Sequence, residues 1–338
     1  MNDDHRGDEF DGCPDDRRML EPIITSHTYR IPTVARLRVC ARIEPERDVP
    51  HGLKSEQSLA ERYKVLTTRL PLFGGQSMRS GGSAALDALA ERAPWAGPLV
   101  GTLDREVRTQ LALGRPWVRL EPTLLVGPPG IGKSWLTTRM AQALGLKVAS
   151  LQLGNTSDDR TLSGTARGWT NSQPAWPLVV IASTRTANPL LVVDEIDKAG
   201  GSDRAGRPHN ALLAMVDPDS ARRYYDQCLL AECDLSQVSW IACANSTARI
   251  PPPLLSRFRV VELGRPGPEH FDAALASAYA EIAVGWDVPI SSLPDLPGRA
   301  VRLLKVRFVR DRSLRVLARD ARALLGAMLA DGRKDRTQ

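Results

Sequence analysis

This 338-residue sequence predicts an α/β fold built on a parallel sheet and followed by a small all-helical unit. Three observations carry the prediction. Five short apolar runs alternate with helix-length segments; the first of them feeds into a glycine-rich loop; and no further run follows the cluster Gly264-Arg265-Pro266-Gly267-Pro268. Short buried strands separated by helices make βαβ units, and these place parallel strands side by side with helices on the faces.

The elements follow in chain order. Residues 1–20 hold seven acids against three bases and are expected to be a disordered, solvated leader. Pro14, Pro22, Pro32, Pro45, Pro50 and Pro71 then punctuate residues 1–80. Within that extension, residues 33–43 read as one strand and residues 55–66 as a short helix. Helices are expected over 84–92 and 103–113. The five apolar runs place strands at 123–126, 147–152, 190–193, 239–244 and 260–263, with amphipathic helices over 133–144 and 174–186 between them. Past the Pro/Gly cluster, Leu314, Leu317, Ala321, Leu324 and Met328 recur at helical spacing. Arg312, Arg315, Arg319 and Arg322 make a second stripe on the same segment. The implied organisation is an extension over 1–80, a sheet domain over 81–264, a helical unit over 265–330 and a basic tail over 331–338.

Composition removes several classes. Apolar residues make up 42% and charged residues 25%, which is ordinary for a globular chain able to bury a core. Apolar runs such as residues 178–182 fall far short of the ~20 residues of a membrane helix. The N-terminus is acidic where a signal peptide is basic and then apolar, so a cytoplasmic location is expected, with no membrane partner. Cysteines 13, 40, 228, 233 and 243 form no CxxC pair and predict reduced thiols rather than a disulfide or zinc framework.

Chemistry concentrates in three places. Gly127-Pro128-Pro129-Gly130-Ile131-Gly132-Lys133-Ser134 fits GxxxxGK[ST], and it sits between an expected strand and an expected helix. Glycines let backbone N–H groups converge on phosphate oxygens, and the helix N-terminus adds positive potential. Lys133 then reaches the β- and γ-phosphates of ATP, and the Ser134 hydroxyl is a ligand for Mg²⁺. Asp194-Glu195-Ile196-Asp197 follows the run Leu190-Leu191-Val192-Val193, so two carboxylates stand at a strand end. Asp194 is suited to hold the metal, directly or through water, and Glu195 to polarise an attacking water. A third run, Trp240 to Ala244, ends in Asn245, whose amide either orients that water or merely closes a turn.

Taken together, GPPGIGKS, LLVVDEIDK, ALLAMVDPD, TARGWTNSQP and ANSTARIPPPLLSR resemble an AAA+ ATPase, and within that superfamily the ATPase module of Lon proteases. The likeness runs from about residue 123 to 263 and again, weakly, over 313–324. It implies a Rossmann-like αβα P-loop NTPase domain with a parallel sheet and a small α-helical lid. It also implies roles for single residues. Asn245 matches the sensor-1 asparagine, Arg257 the arginine finger that serves a neighbouring subunit, and Arg315 the sensor-2 arginine of the lid. Trp169 falls at the aromatic pore-loop position that grips polypeptide, where the family usually has tyrosine.

From the resemblance follow ATP and Mg²⁺ as cofactors, a homo-oligomeric ring expected to be a hexamer, and a polypeptide substrate. Only 19 residues follow Arg319 and no G-x-S-x-G elbow is present, so ATP hydrolysis without peptide-bond hydrolysis is expected. Two alternatives to a protein-remodelling motor stand beside it. One is a nucleic-acid-associated ATPase using the basic C-terminal face; the other is an ATP-dependent assembly switch.

Overall fold

In a sheet covered on both faces, inner strands must be apolar throughout, whereas edge strands are free to alternate. The computed structural model of this chain describes residues 35–43, 58–74, 83–154, 156, 158–169, 171–200 and 206–334. The leader expected over residues 1–20 lies outside the described residues. Along them run β1 (Arg36–Leu37), β2 (Leu70–Pro71), β3 (Thr123–Val126), β4 (Val148–Gln152), β5 (Leu190–Asp194), β6 (Tyr224–Asp226), β7 (Ala231–Cys233), β8 (Ser239–Ala244) and β9 (Arg259–Glu262). Five of these form one parallel sheet in the order β4-β5-β8-β3-β9. The inner strands β5, β8 and β3 contain no exposed residue, while β9 at one edge alternates half-buried with exposed positions. The expected strands at 123–126 and 239–244 form at those bounds, and the other three shift by one residue.

The helices, in order, are α1 (Leu59–Arg62), α2 (Ser83–Arg92), α3 (Gly97–Ala112), α4 (Lys133–Ala143), α5 (Arg160–Ser163), α6 (Trp176–Thr184), α7 (Pro208–Val216), α8 (Pro218–Arg222), α9 (Pro252–Leu255), α10 (Phe271–Gly285), α11 (Gly298–Asp311) and α12 (Leu314–Lys334). Successive strand residues point to opposite faces, and the cores divide accordingly. Leu124, Leu191, Val193, Trp240 and Ala242 pack with α6 and α7. Leu125, Leu190, Val192, Ile241 and Cys243 pack with α2, α3 and α4. The result is a three-layer αβα arrangement.

A third core lies among α10, α11 and α12. Phe271 and Phe308 meet with ring centroids 5.7 Å apart, above Leu317, Ala321 and Leu325. Trp95 touches both this core and the α2–α4 face of the sheet. Leu317 and Ala321 of the expected apolar stripe are buried, and Leu314, Leu324 and Met328 are partly so. The arginine stripe is divided among several tasks: Arg312 ends α11 at φ 46°, Arg319 bonds Asp320, and Arg322 lies 5.8 Å from the Trp286 ring. No helix among the described residues is long and apolar enough to cross a membrane.

Two expectations in the extension are corrected. Of the strand expected over residues 33–43, the described residues 35–43 divide between two partners: Arg36–Leu37 pairs with β2, and the Cys40 backbone makes an antiparallel β-bridge to Cys233. Of the helix expected over 55–66, the described part from residue 58 onward is the single turn α1, capped by Ser58, which then tightens into a 3₁₀ turn over Lys64–Thr67.

Candidate active site

At the end of β3 the chain enters the loop 127–132. Gly127 N–H donates to the Ala244 carbonyl at 3.2 Å, tying the loop to the end of β8. A Cβ on Gly127 would collide with the Leu263 carbonyl oxygen and the Ile131 side chain. Because one of these obstacles is backbone, Gly127→Ala is expected to destabilise the fold by about 1–3 kcal/mol, the range for overpacking. A lowered midpoint in urea denaturation checks this, and an unchanged midpoint would contradict the packing argument. Gly130 and Gly132 take φ +82° and +86°, a region L side chains rarely adopt. Ile131 between them is buried at 2% exposure and anchors the loop in the core.

No side chain caps the N-terminus of α4, so its first-turn amides and their positive potential are left for a ligand. The helical unit closes onto the same loop. Leu314 and Arg315 N–H groups donate to the Gly130 carbonyl at 2.9 and 3.3 Å.

Lys133 Nζ donates to Gly127 O (2.6 Å), Pro128 O (3.2 Å) and Asn245 Oδ1 (3.0 Å). Burial holds this amine below the ordinary lysine value, with the nearby Asp194 and Asp197 charges opposing the shift. Ser134 Oγ donates to Asp194 Oδ2 at 2.5 Å, and Asp194 Oδ1 accepts from Glu195 N at 2.8 Å. Glu195 sits at φ +56°, a costly conformation for a non-glycine residue that clusters at functional sites. Its carboxylate pairs with Lys198 and accepts from Gln152 Nε2 at 3.2 Å. The Lys198 hydrogen bond holds it below the usual carboxylate range. Asn245 N donates to Asp197 Oδ2 at 3.1 Å.

Lys133, Ser134, Asp194, Glu195, Asn245 and Arg315 thus line one cleft of about 420 Å³ with Pro129, Gly130 and Gly132. The cleft opens at the C-terminal ends of β3, β5 and β8, where parallel α/β sheets bind ligands. Two predicted residues lie elsewhere. Arg257, just past α9, pairs through Nε with Asp217 Oδ1 at 2.9 Å and is half exposed. Trp169 is 63% exposed, with the Arg160 guanidinium 5.7 Å from its ring. Its loop is held by pairing of Thr165 with Gln173 and by Arg167 Nε donating to Cys228 O at 2.8 Å.

Sequence reasoning missed other cleft residues. Gln152 ends a recognised apolar strand beside Asp194, and that polar ending was a usable signal. Lys198 follows the acidic run directly. Trp95, Trp135 and Glu281 carry no such local signal and meet the cleft only through tertiary packing. The donor set suits Mg²⁺: hard oxygens from Ser134 and Asp194, with the remaining coordination left to phosphate and water. The glycine cradle and uncapped α4 suit the phosphates.

Fold and cleft together have the architecture of a phosphate-loop NTPase module followed by a helical unit. Residues 123–265, less than half of the chain, match the family profile described as ATPase family associated with various cellular activities (AAA). The chain is similar to the peroxisomal Lon protease homolog 2 of Oryza sativa subsp. indica, with 34% identity over 214 residues, 63% of this chain and 24% of the relative. A Lon protease of Dictyoglomus thermophilum is 41% identical over 138 residues, covering 41% of this chain and 17% of that one. The chain therefore spans about a quarter or less of the length of these relatives. Among solved structures, a closed-state cryo-EM reconstruction of Hsp104 with ATPγS and FITC casein superposes with a TM-score of 0.58 at 16% identity, covering 72% of this chain and 46% of that one. That likeness concerns the fold alone.

Proposed function

We propose that this chain binds and hydrolyses ATP with Mg²⁺ and couples turnover to the remodelling of a polypeptide. The observation that carries the reading is the convergence of Lys133, Ser134 and Asp194 with Glu195 and Asn245 around one cleft. Residues 127–134 cradle the triphosphate through loop amides, with the Lys133 ammonium on the β- and γ-phosphates. Ser134 and Asp194 would hold Mg²⁺, which would supply neutralisation of phosphate charge. Glu195, once turned from Lys198, takes a proton from the attacking water, and Asn245 orients that water. Arg315 reports phosphate occupancy to the lid through its place beside Gly130. Arg257 serves the cleft of a neighbouring protomer, which requires a ring of this chain; six copies are the proposed number. The proposed domains are 81–264 for the nucleotide and 265–330 for the lid, in a cytoplasmic protein.

Trp169 presents an exposed ring for polypeptide. ATP turnover is therefore expected to rise on adding an unfolded model polypeptide, and Trp169→Ala is expected to bring the ratio of stimulated to basal turnover to about one. A coupled phosphate-release assay measures both rates. Equal stimulation of wild type and variant would remove the polypeptide reading and leave the ATPase standing.

A further inference from the structure

Asp197 lies on the cleft wall, and none of the roles above uses it. It stands in the 3₁₀ turn Ile196–Lys198, directly after the left-handed Glu195. That turn is fixed from both sides. Ile196 is fully buried, and His209 Nε2 lies 2.8 Å from its carbonyl oxygen. One Asp197 oxygen, Oδ2, accepts the Asn245 backbone N–H at 3.1 Å. The other, Oδ1, is buried with no hydrogen-bond partner among the described residues. A buried carboxylate oxygen without a donor is disfavoured and calls for a reason.

The partner of Asp197 is itself shared. Asn245 Oδ1 accepts from Lys133 Nζ, whose two other acceptors are loop carbonyls. Phosphate oxygens form charge-assisted bonds stronger than those of neutral amide oxygens, so they draw the ammonium away. The Asn245 carboxamide then loses its cation while its backbone stays tied to Asp197.

Resting on the ATPase reading above, we propose that Asp197 is a positioning residue for Asn245. It pins the Asn245 backbone so that the carboxamide, released by Lys133 when phosphate arrives, stays over the cleft to orient water. The unpartnered Oδ1 accepts an O–H of water in the loaded cleft. Asp197 touches no reacting atom and acts through Asn245.

The test compares wild type with Asn245→Ala, Asp197→Ala, Asp197→Asn and the double alanine variant. Steady-state kcat and KM are measured beside the calorimetric Kd for ATPγS. Asp197→Ala is expected to lower kcat by about 30-fold, within the ~10–100-fold typical of losing an outer hydrogen-bond partner that orients a site residue, and to leave Kd within about threefold. Asp197→Asn keeps an oxygen for the Asn245 N–H and is expected to recover kcat to within about fivefold of wild type. The double variant should lose no more than Asn245→Ala alone, since both act through one carboxamide.

Multiplying losses in the double variant would overturn the assignment. So would a Kd that rises in step with the fall in kcat, or a wild-type kcat in Asp197→Ala. Should Asp197→Ala fail to fold, Asp197→Asn decides: kcat within fivefold and unchanged Kd support the role, and a larger loss overturns it. An inactive wild type would overturn the ATPase reading along with this one, whereas an Asn245→Ala variant at full rate would overturn the role of Asn245 and with it that of Asp197, leaving the ATPase reading standing. An impaired Asn245→Ala beside an intact Asp197→Ala would remove the role of Asp197 alone.

Discussion

Glu195→Gln is expected to bind ATP and keep it, with kcat lowered by about 10²–10⁴, the contribution typical of a positioned general base. The substitution preserves shape, so the amide still fits over Gly154, where a Cβ would run into the Glu195 carboxylate. It also keeps an oxygen for Gln152 and tolerates the φ of +56° as well as glutamate does. What is lost is basicity and the pairing with Lys198. Because the Lys198 hydrogen bond holds the Glu195 carboxyl below the usual range, the base is already ionised well below neutral pH. The acid limb of kcat should therefore fall at acidic pH, and raising pH through neutrality should add nothing from this group. Single-turnover measurement of retained labelled ATP and released phosphate checks both points. Turnover at the wild-type rate would assign the base to another residue.

What could be read beforehand, and what could not, follows from where each signal resides. The inner strands were legible because burial on both faces leaves no room for polar residues, as in Ser239–Ala244. The phosphate loop was legible because its glycines answer a local backbone requirement at Gly130 and Gly132. Residues 33–43 misled because their alternation resembles a strand, whereas two different pairing partners divide them. The β6–β7 hairpin went unrecognised because its turn is built by a buried carboxylate rather than by Asn-Gly chemistry. Asp226 there accepts from the Cys228, Leu229 and Ala175 N–H groups. The lid contact was equally hidden. Trp135 Nε1 donates to Glu281 at 2.8 Å, and Arg139 pairs with the same carboxylate, across a separation only the fold closes.

Arg257→Ala is expected to lower kcat by about 10³ or more, the range for a finger that neutralises transition-state charge, while ATP affinity in the separated protomer is retained. The reason lies in its position. Arg257 is absent from the cleft that holds Lys133 and Glu195, and its Nε is engaged by Asp217, whose other oxygen accepts from Ser220 N at 3.3 Å at the start of α8. With Asp217 fixed by that cap, the guanidinium is held half exposed and outside the cleft of its own chain. An exposed pair of this kind contributes only ~0–1 kcal/mol to stability, so the variant should melt near wild type and the loss should be catalytic. Two measurements separate service in trans from service in the same chain. Wild-type turnover per protomer should rise with protein concentration. Mixing Glu195→Gln, which keeps its finger, with Arg257→Ala, which keeps its base, should restore turnover that neither shows alone. If the mixture stays inactive while the two proteins co-assemble, Arg257 acts within its own chain, and the need for a ring disappears.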